Sequence, residues 1–145
     1  MMVHAERQLK KFMPVKDFKK IKKIIQMNFE AMLKAVDHSD TEKFLDFLSE
    51  DVCFYFANIP KTSGKKDLRN FLNLFFQSID HTKHTKLIID RNEKGDVVFI
   101  RGDVCYTRKD GSELNVPFCN VLTLDERKEK IRDYRIYVDN SDLFN

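Results

Sequence analysis

The feature that most constrains the fold is a change of hydrophobic period partway along the chain. Up to about residue 79, apolar residues recur every three or four positions, as on one face of a helix. Beyond about residue 84 they alternate, as on one face of a strand. After Pro14 the stripe runs through Phe18, Ile21, Ile25, Phe29, Met32, Leu33 and Val36, which predicts one long amphipathic helix ending in the polar run 37–40. Asp40 is placed to cap a second, shorter helix over 41–50, with Phe44, Phe47 and Leu48 inward. The stretch 51–60 is rich in β-branched and aromatic residues and stops at Pro60, so it reads as a strand; 61–64 is a turn. A third helix over 65–79 turns Leu68, Phe71, Leu72, Phe75 and Ile79 to one side. Strands follow over 84–90, 97–108, 113–124 and 131–139, and Asp110-Gly111 is a strong hairpin signal between two of them. Helices first, an antiparallel meander after, and one helix behind the first strand imply an α+β domain. Three helices from the N-terminal half would pack on one face of a curved, mostly antiparallel sheet. The expected organisation is a flexible basic N-terminus over 1–14, a single domain over 15–145, and a loose tail after Asp139.

A chain of 145 residues is the usual size of one domain, and 42% apolar with 34% charged residues argues against disorder. The 13 Phe, with no Trp, can fill a core or line an apolar cavity without leaving a polar atom to satisfy. Cys53, Cys105 and Cys119 are odd in number, form no C-x-x-C and fall in strand-like runs, which predicts free, buried thiols in a reducing compartment. The first fourteen residues have no apolar leader and no stretch reaches membrane-span length, so a cytoplasmic protein without a membrane partner is expected. The net charge of +3 is mild, although seven Lys lie at 10, 11, 16, 19, 20, 22 and 23. With no aromatic RNA-binding strand motif and no helix-turn-helix spacing beside them, they read as a solvated helix face, and nucleic acid is not an expected partner.

The residues that could carry chemistry are few. In the stretch 99–111, Phe99, Arg101, Asp103 and Cys105 share one strand face. If that face lines a pocket, Asp103, held by Arg101, would stay ionised and act as an acceptor or weak base. The alternative is a structural ion pair. Asn58 and Asn120 could be pocket hydrogen-bond donors or satisfied core amides; Asn120 stands on an apolar stripe with Phe118, Leu122 and Leu124. His81 and His84 form H-x-x-H off any predicted helix and without a third ligand at a recognised interval, so no metal is expected. His84, at the mouth of its strand, could still face a ligand. No Gly-rich phosphate loop and no Ser-His-Asp arrangement is present, and no cofactor is expected. On the last strand Asp133, Arg135 and Tyr137 alternate with Tyr134 and Ile136; the first set suits an outer sheet face and predicts a homodimer.

The order helix–helix–strand–helix–four strands resembles the NTF2-like superfamily, the cone-shaped fold of ketosteroid isomerases, SnoaL-like polyketide cyclases and limonene-epoxide hydrolases. The helix, polar turn and first strand of 35–56, the Asn58-Ile59-Pro60 turn with Gly64 before the third helix, and the closing strand 130–144 are similar to that family in order and spacing. The resemblance covers about residues 25–144. It implies a small apolar ligand in the cone, with Phe54 and Phe56 on its wall, and a cofactor-independent cyclase, isomerase or hydrolase, or else a non-catalytic ligand-binding or protein-association module. Of the ketosteroid-isomerase residues, the catalytic Asp matches Tyr55 or Phe56, the Tyr donor falls near Met32, and the protonated Asp matches Asn120. Of the epoxide-hydrolase residues, Arg101-Gly102-Asp103 resembles the Arg-x-Asp and Asn58 the Asn. Phe56 stands for the Tyr and Ile136 for the second Asp. The resemblance thus implies Arg101 and Asp103 as the catalytic pair, with Asn58, Asn120, Phe54, Phe56 and His84 about the substrate.

Overall fold

In the computed structural model, which describes Pro14 and residues 27–145, Asn28 starts the first helix. Its side-chain oxygen accepts the Ala31 N–H at 3.0 Å and so caps α1 (Phe29–Asp37). The long predicted helix therefore does not run through Asn28; its earlier part, the lysine-rich stretch and, but for Pro14, the N-terminal fourteen residues lie outside the described residues. Asp40 caps α2 (Thr41–Leu45), accepting the Lys43 N–H at 3.1 Å. α2 is shorter than predicted, because Leu48–Glu50 belong to the strand β1 (Leu48–Phe56). The predicted turn 61–64 holds a two-residue strand, β2 (Thr62–Ser63), before α3 (Lys65–Ser78).

The remaining strands are β3 (His81–Arg91), β4 (Val97–Thr107), β5 (Glu113–Leu124) and β6 (Ile131–Val138). They form one six-stranded sheet in the order β2-β1-β6-β5-β4-β3. All neighbours are antiparallel except β1 and β6, which are parallel and joined only by the long route through β2, α3 and the three strands β3 to β5. The three helices cover one face of this curved, open, mixed sheet, which is the α+β cone expected from the sequence.

Alternation decides what each strand shows to that covered face. β4 turns Val98, Ile100, Val104 and Tyr106 inward and β5 turns Phe118, Asn120, Leu122 and Leu124, while on β6 a register shift at Arg132 lets both Ile131 and Tyr134 face inward. With Met32, Leu33, Phe44, Leu45, Phe54, Phe56, Leu68 and Leu72 they form the core. A chain of aromatic contacts runs through it, from Tyr134 to Phe54 at 5.2 Å, Phe54 to Phe71 at 6.1 Å, Phe71 to Phe75 at 6.5 Å and Phe75 to Tyr106 at 6.4 Å.

The C-terminal tail is not loose. Leu143 is 1% exposed, and the Arg108 guanidinium donates to the Leu143 carbonyl at 2.8 Å and the Asp142 carbonyl at 2.9 Å. The three cysteines are free, as expected, but half-buried rather than buried. Cys105 alternates with the inward Val104 and Tyr106, and Cys119 with the inward Phe118 and Asn120, which puts both on the outer face.

Candidate active site

Between the helices and the sheet lies a cavity of about 50 Å³. Its wall is largely Phe: Phe44, Phe54, Phe56, Phe75, Phe76 and Phe118. The polar groups on it are Thr82, His84 and Asn120, with the hydroxyls of Tyr106 and Tyr134. The volume exceeds the roughly 15 Å³ one water needs, and is well below the roughly 300 Å³ of ordinary ligand pockets. The aromatic side chains named above take up the rest of the cone.

One polar cluster stands at the wall between α1 and β3. Asp37 ends α1 and reaches the sheet's edge strand, where it accepts three hydrogen bonds. Thr82 Oγ1 donates to Oδ1 at 2.8 Å, His84 Nδ1 to Oδ1 at 2.6 Å, and the His84 backbone N–H to Oδ2 at 3.0 Å. The two side chains are 15% and 11% exposed. Burial on its own raises the Asp37 carboxyl, but the hydrogen bonds and charge of His84, with help from Thr82, outweigh it and hold the carboxyl below its ordinary value. An ionised Asp37 can only accept, so Nδ1 of His84 carries the hydrogen and Nε2 is the free ring nitrogen. Among the described residues no protein group hydrogen-bonds to Nε2. The ring stands edge-on to Phe118, with centroids 5.1 Å apart. Leu33 and His84 also border a surface groove of about 330 Å³ lined by Glu30, Lys34, Asp37 and Lys86, so the pair separates the cavity from solvent.

A second polar feature lies deeper. Asn120 is 2% exposed, and its Nδ2 donates to the fully buried Tyr134 hydroxyl at 3.2 Å. Its Oδ1 is buried with no hydrogen-bond partner in the protein. Tyr134, having accepted from Asn120, has no protein acceptor for its own hydrogen among the described residues. One unmet acceptor and one unmet donor thus face the same cavity, each costing about 1–3 kcal/mol unless something there answers it. Burial also pushes the phenol of Tyr106 up to about 12, against a small downward pull from Asn140.

The residues the sequence singled out divide between two faces. Phe54, Phe56, His84 and Asn120 line the cavity. Asn58 does not; it is exposed in the turn after β1. Arg101 and Asp103, expected inside the cone, lie on the outer face of β4 with Phe99, which is 39% exposed. The reason is the competing face of the same strand: Val98, Ile100, Val104 and Tyr106 bury more apolar area than Phe99 and Cys105, and the helices cover only one face of the sheet. Asp103 instead meets Lys86 at 3.4 Å. His81 and His84 point apart, His81 pairing with Asp80 at 2.6 Å, and among the described residues no group of three His, Cys, Asp or Glu is placed to hold a metal. Asp133, Arg135 and Tyr137 share the outer face, where Arg135 donates to Asp133 at 2.9 Å and stacks 4.2 Å over Tyr55.

Asp37 and Thr82 were not found from the sequence. A signal for Asp37 was present: a carboxylate in the last turn of a helix opposes the macrodipole and needs a local reason.

No curated protein is significantly similar in sequence. Solved structures share the fold at low identity. A polyketide cyclase candidate from Xanthomonas campestris pv. campestris is 17% identical, with a TM-score of 0.71 over 86% of this chain and 94% of that one. A candidate isomerase from Bacillus subtilis is 16% identical, with a TM-score of 0.70 over 84% and 90%. An NTF2-like protein from Anabaena variabilis is 21% identical, with a TM-score of 0.68 over 82% and 89%. The SnoaL-like domain family matches residues 29–134, which include α1, Asp37, His84, Asn120 and Tyr134. By that match the chain belongs to the SnoaL-like family.

Proposed function

We propose that this protein is a cofactor-independent proton-transfer enzyme, an isomerase or cyclase, acting on a small, mostly apolar substrate that carries a hydroxyl next to a carbonyl. The observation that carries this is the Asp37–His84 pair. A half-buried imidazole, fixed in one tautomer by a carboxylate and with its other nitrogen unengaged, is suited to take and return a proton. In this mechanism Nε2 removes the hydrogen on the carbon beside the carbonyl, and the bonding pair moves into the enolate. Tyr134 donates its hydroxyl hydrogen to the oxygen on which charge develops, while Asn120 Oδ1 accepts the substrate hydroxyl. The hydroxyl proton then passes across the enediolate to the former carbonyl oxygen, and the imidazolium, held by Asp37, returns its proton to the former carbonyl carbon, which leaves the carbonyl on the neighbouring carbon. Phe75 and Phe76, half-buried on α3, would swing to admit a ligand larger than the cavity. Candidate cyclases and isomerases among the structural neighbours agree in kind with such chemistry. The free thiols support a reducing, cytoplasmic setting, and the outer sheet face supports a homodimer.

Hydroxyacetone is a direct probe. Its carbon-bound hydrogens should exchange with D2O at least about 100-fold faster with the wild type than with His84→Gln or Asp37→Asn, the usual worth of general acid–base help. Equal rates for all three would refute the proposal. One observation favours a second reading: the aromatic filling of the cone suits a non-catalytic module, in which Asp37 only covers the N–H groups of an edge strand. In that case no variant changes the exchange rate.

A further inference from the structure

We propose that Gly102 is the positioning residue of the Asp37–His84 pair: it leaves room for a one-residue bulge in β3, and the bulge turns His84 toward the cavity. The inference rests on the proton-transfer role given to that pair.

β3 and β4 pair residue for residue except at one point. Thr85 stands opposite Asp103 and Ile88 opposite Arg101, so two residues, Lys86 and Leu87, share the single position facing Gly102. The inward set of β3 changes parity there. Thr82 and His84 face inward before the bulge; Leu87 and Ile89 pack against the core after it. Strict alternation from Leu87 and Ile89 would turn Lys83 and Thr85 inward and His84 out to solvent. The extra residue is Lys86, whose backbone takes the left-handed region at φ 56° and whose side chain is extruded to the Asp103 carboxylate.

That fold of the chain comes down onto Gly102. A Cβ at this position would lie 2.5 Å from the Thr85 carbonyl oxygen, 3.2 Å from the Lys86 carbonyl oxygen and 3.2 Å from Leu87 Cδ2. The first contact is with backbone and has no rotamer to escape into, so any side chain here pushes the bulge out. Bulges re-aim side chains beside functional sites, and this one begins two residues after His84. The stretch Arg101-Gly102-Asp103 therefore works through its middle residue, with Asp103 taking the lysine that the bulge expels.

The test uses the full chain with 15N-labelled histidine, reading the ring-nitrogen shifts of His84, assigned by their loss in His84→Gln, and the hydroxyacetone exchange rate. Gly102→Ala should lose the Nδ1-protonated, hydrogen-bonded signature and at least about 10-fold in exchange, with the far-UV spectrum kept. Deleting Lys86 in the Gly102→Ala chain sets Leu87 opposite residue 102 and makes the strand regular, with Thr82, His84, Leu87 and Ile89 all inward. That variant should regain both readouts. A folded Gly102→Ala protein that keeps the His84 signature overturns the proposal, as does a folded double variant that lacks it. Should Gly102→Ala alone fail to fold, the double variant decides by the same signature. A wild type that shows the signature but no exchange refutes the proton-transfer role while leaving the positioning by Gly102 intact.

Discussion

At the scale of single residues, Asp37 joins stability to chemistry. It ends α1, where the helix disfavours a negative charge, yet it takes three hydrogen bonds from β3. Its carboxyl lies below the ordinary 3.8 because those bonds outweigh the cost of burial. When the folded value is the lower one, the unfolded chain takes up the proton first as pH falls. The contribution of Asp37 is then complete above the ordinary value, shrinks below about pH 4, and is gone once pH has passed the folded value. The stability advantage of the wild type over Asp37→Asn, measured by urea unfolding, should therefore narrow between about pH 5 and pH 3. A constant gap over that range would mean that the carboxyl is not held by His84. Asp37→Ala should cost about 1–3 kcal/mol at neutral pH, the worth of buried donors left without an acceptor.

At the scale of elements, the tail and β3 behave unlike their sequences. The polar run 139–142 suggests a loose end, but Leu143 is a buried apolar anchor and Arg108 grips the carbonyls on either side of its peptide bond. Leu143→Ala should cost about 2 kcal/mol or more by thermal or urea unfolding, as for other buried Leu truncations. A loss under 0.5 kcal/mol, the range of surface changes, would show the tail to be undocked in solution. The cone itself was legible because helical and alternating periods are local signals and each turn carries its own chemistry. The site was not. His84 and Asp37 are 47 positions apart and meet only when α1 crosses the edge of the sheet. Arg101 and Asp103 drew attention by their spacing, and spacing alone does not say which face of a strand is buried. A comparison of the two faces of β4 points the right way, since Val98, Ile100, Val104 and Tyr106 outweigh Phe99 and Cys105. The parity change in β3 also leaves a trace in the sequence, a lysine at 86 where alternation from His84 calls for an inward residue, but only the partner strand shows it to be a bulge.

For the whole molecule, the helices cover one side of the sheet and leave the other to be accounted for. That outer face carries Tyr137 at 56%, Ile88 at 44% and Phe99 at 39% exposure, among Arg101, Lys86, Asp103 and Asp139. Apolar residues ringed by both signs of charge suit a second copy of the same surface, in which each cation meets its partner's carboxylate. The wild type should sediment as a dimer at micromolar concentration, and Phe99→Glu with Tyr137→Glu should yield a folded monomer. A wild-type monomer would contradict this. Dimerisation there would leave the cavity open, because Asp37 and His84 lie on the covered side, at the edge strand away from the centre of the outer face.

On this reading the chemistry sits inside the cone at His84 and not outside it at Arg101 and Asp103. Hydroxyacetone exchange in D2O, measured side by side for the wild type, His84→Gln and the combined Arg101→Gln, Asp103→Asn variant, tests this most directly. His84→Gln should lose at least about 100-fold, and the outer-face variant should stay within about twofold of the wild type. Loss of exchange in the outer-face variant, with His84→Gln unaffected, would contradict it.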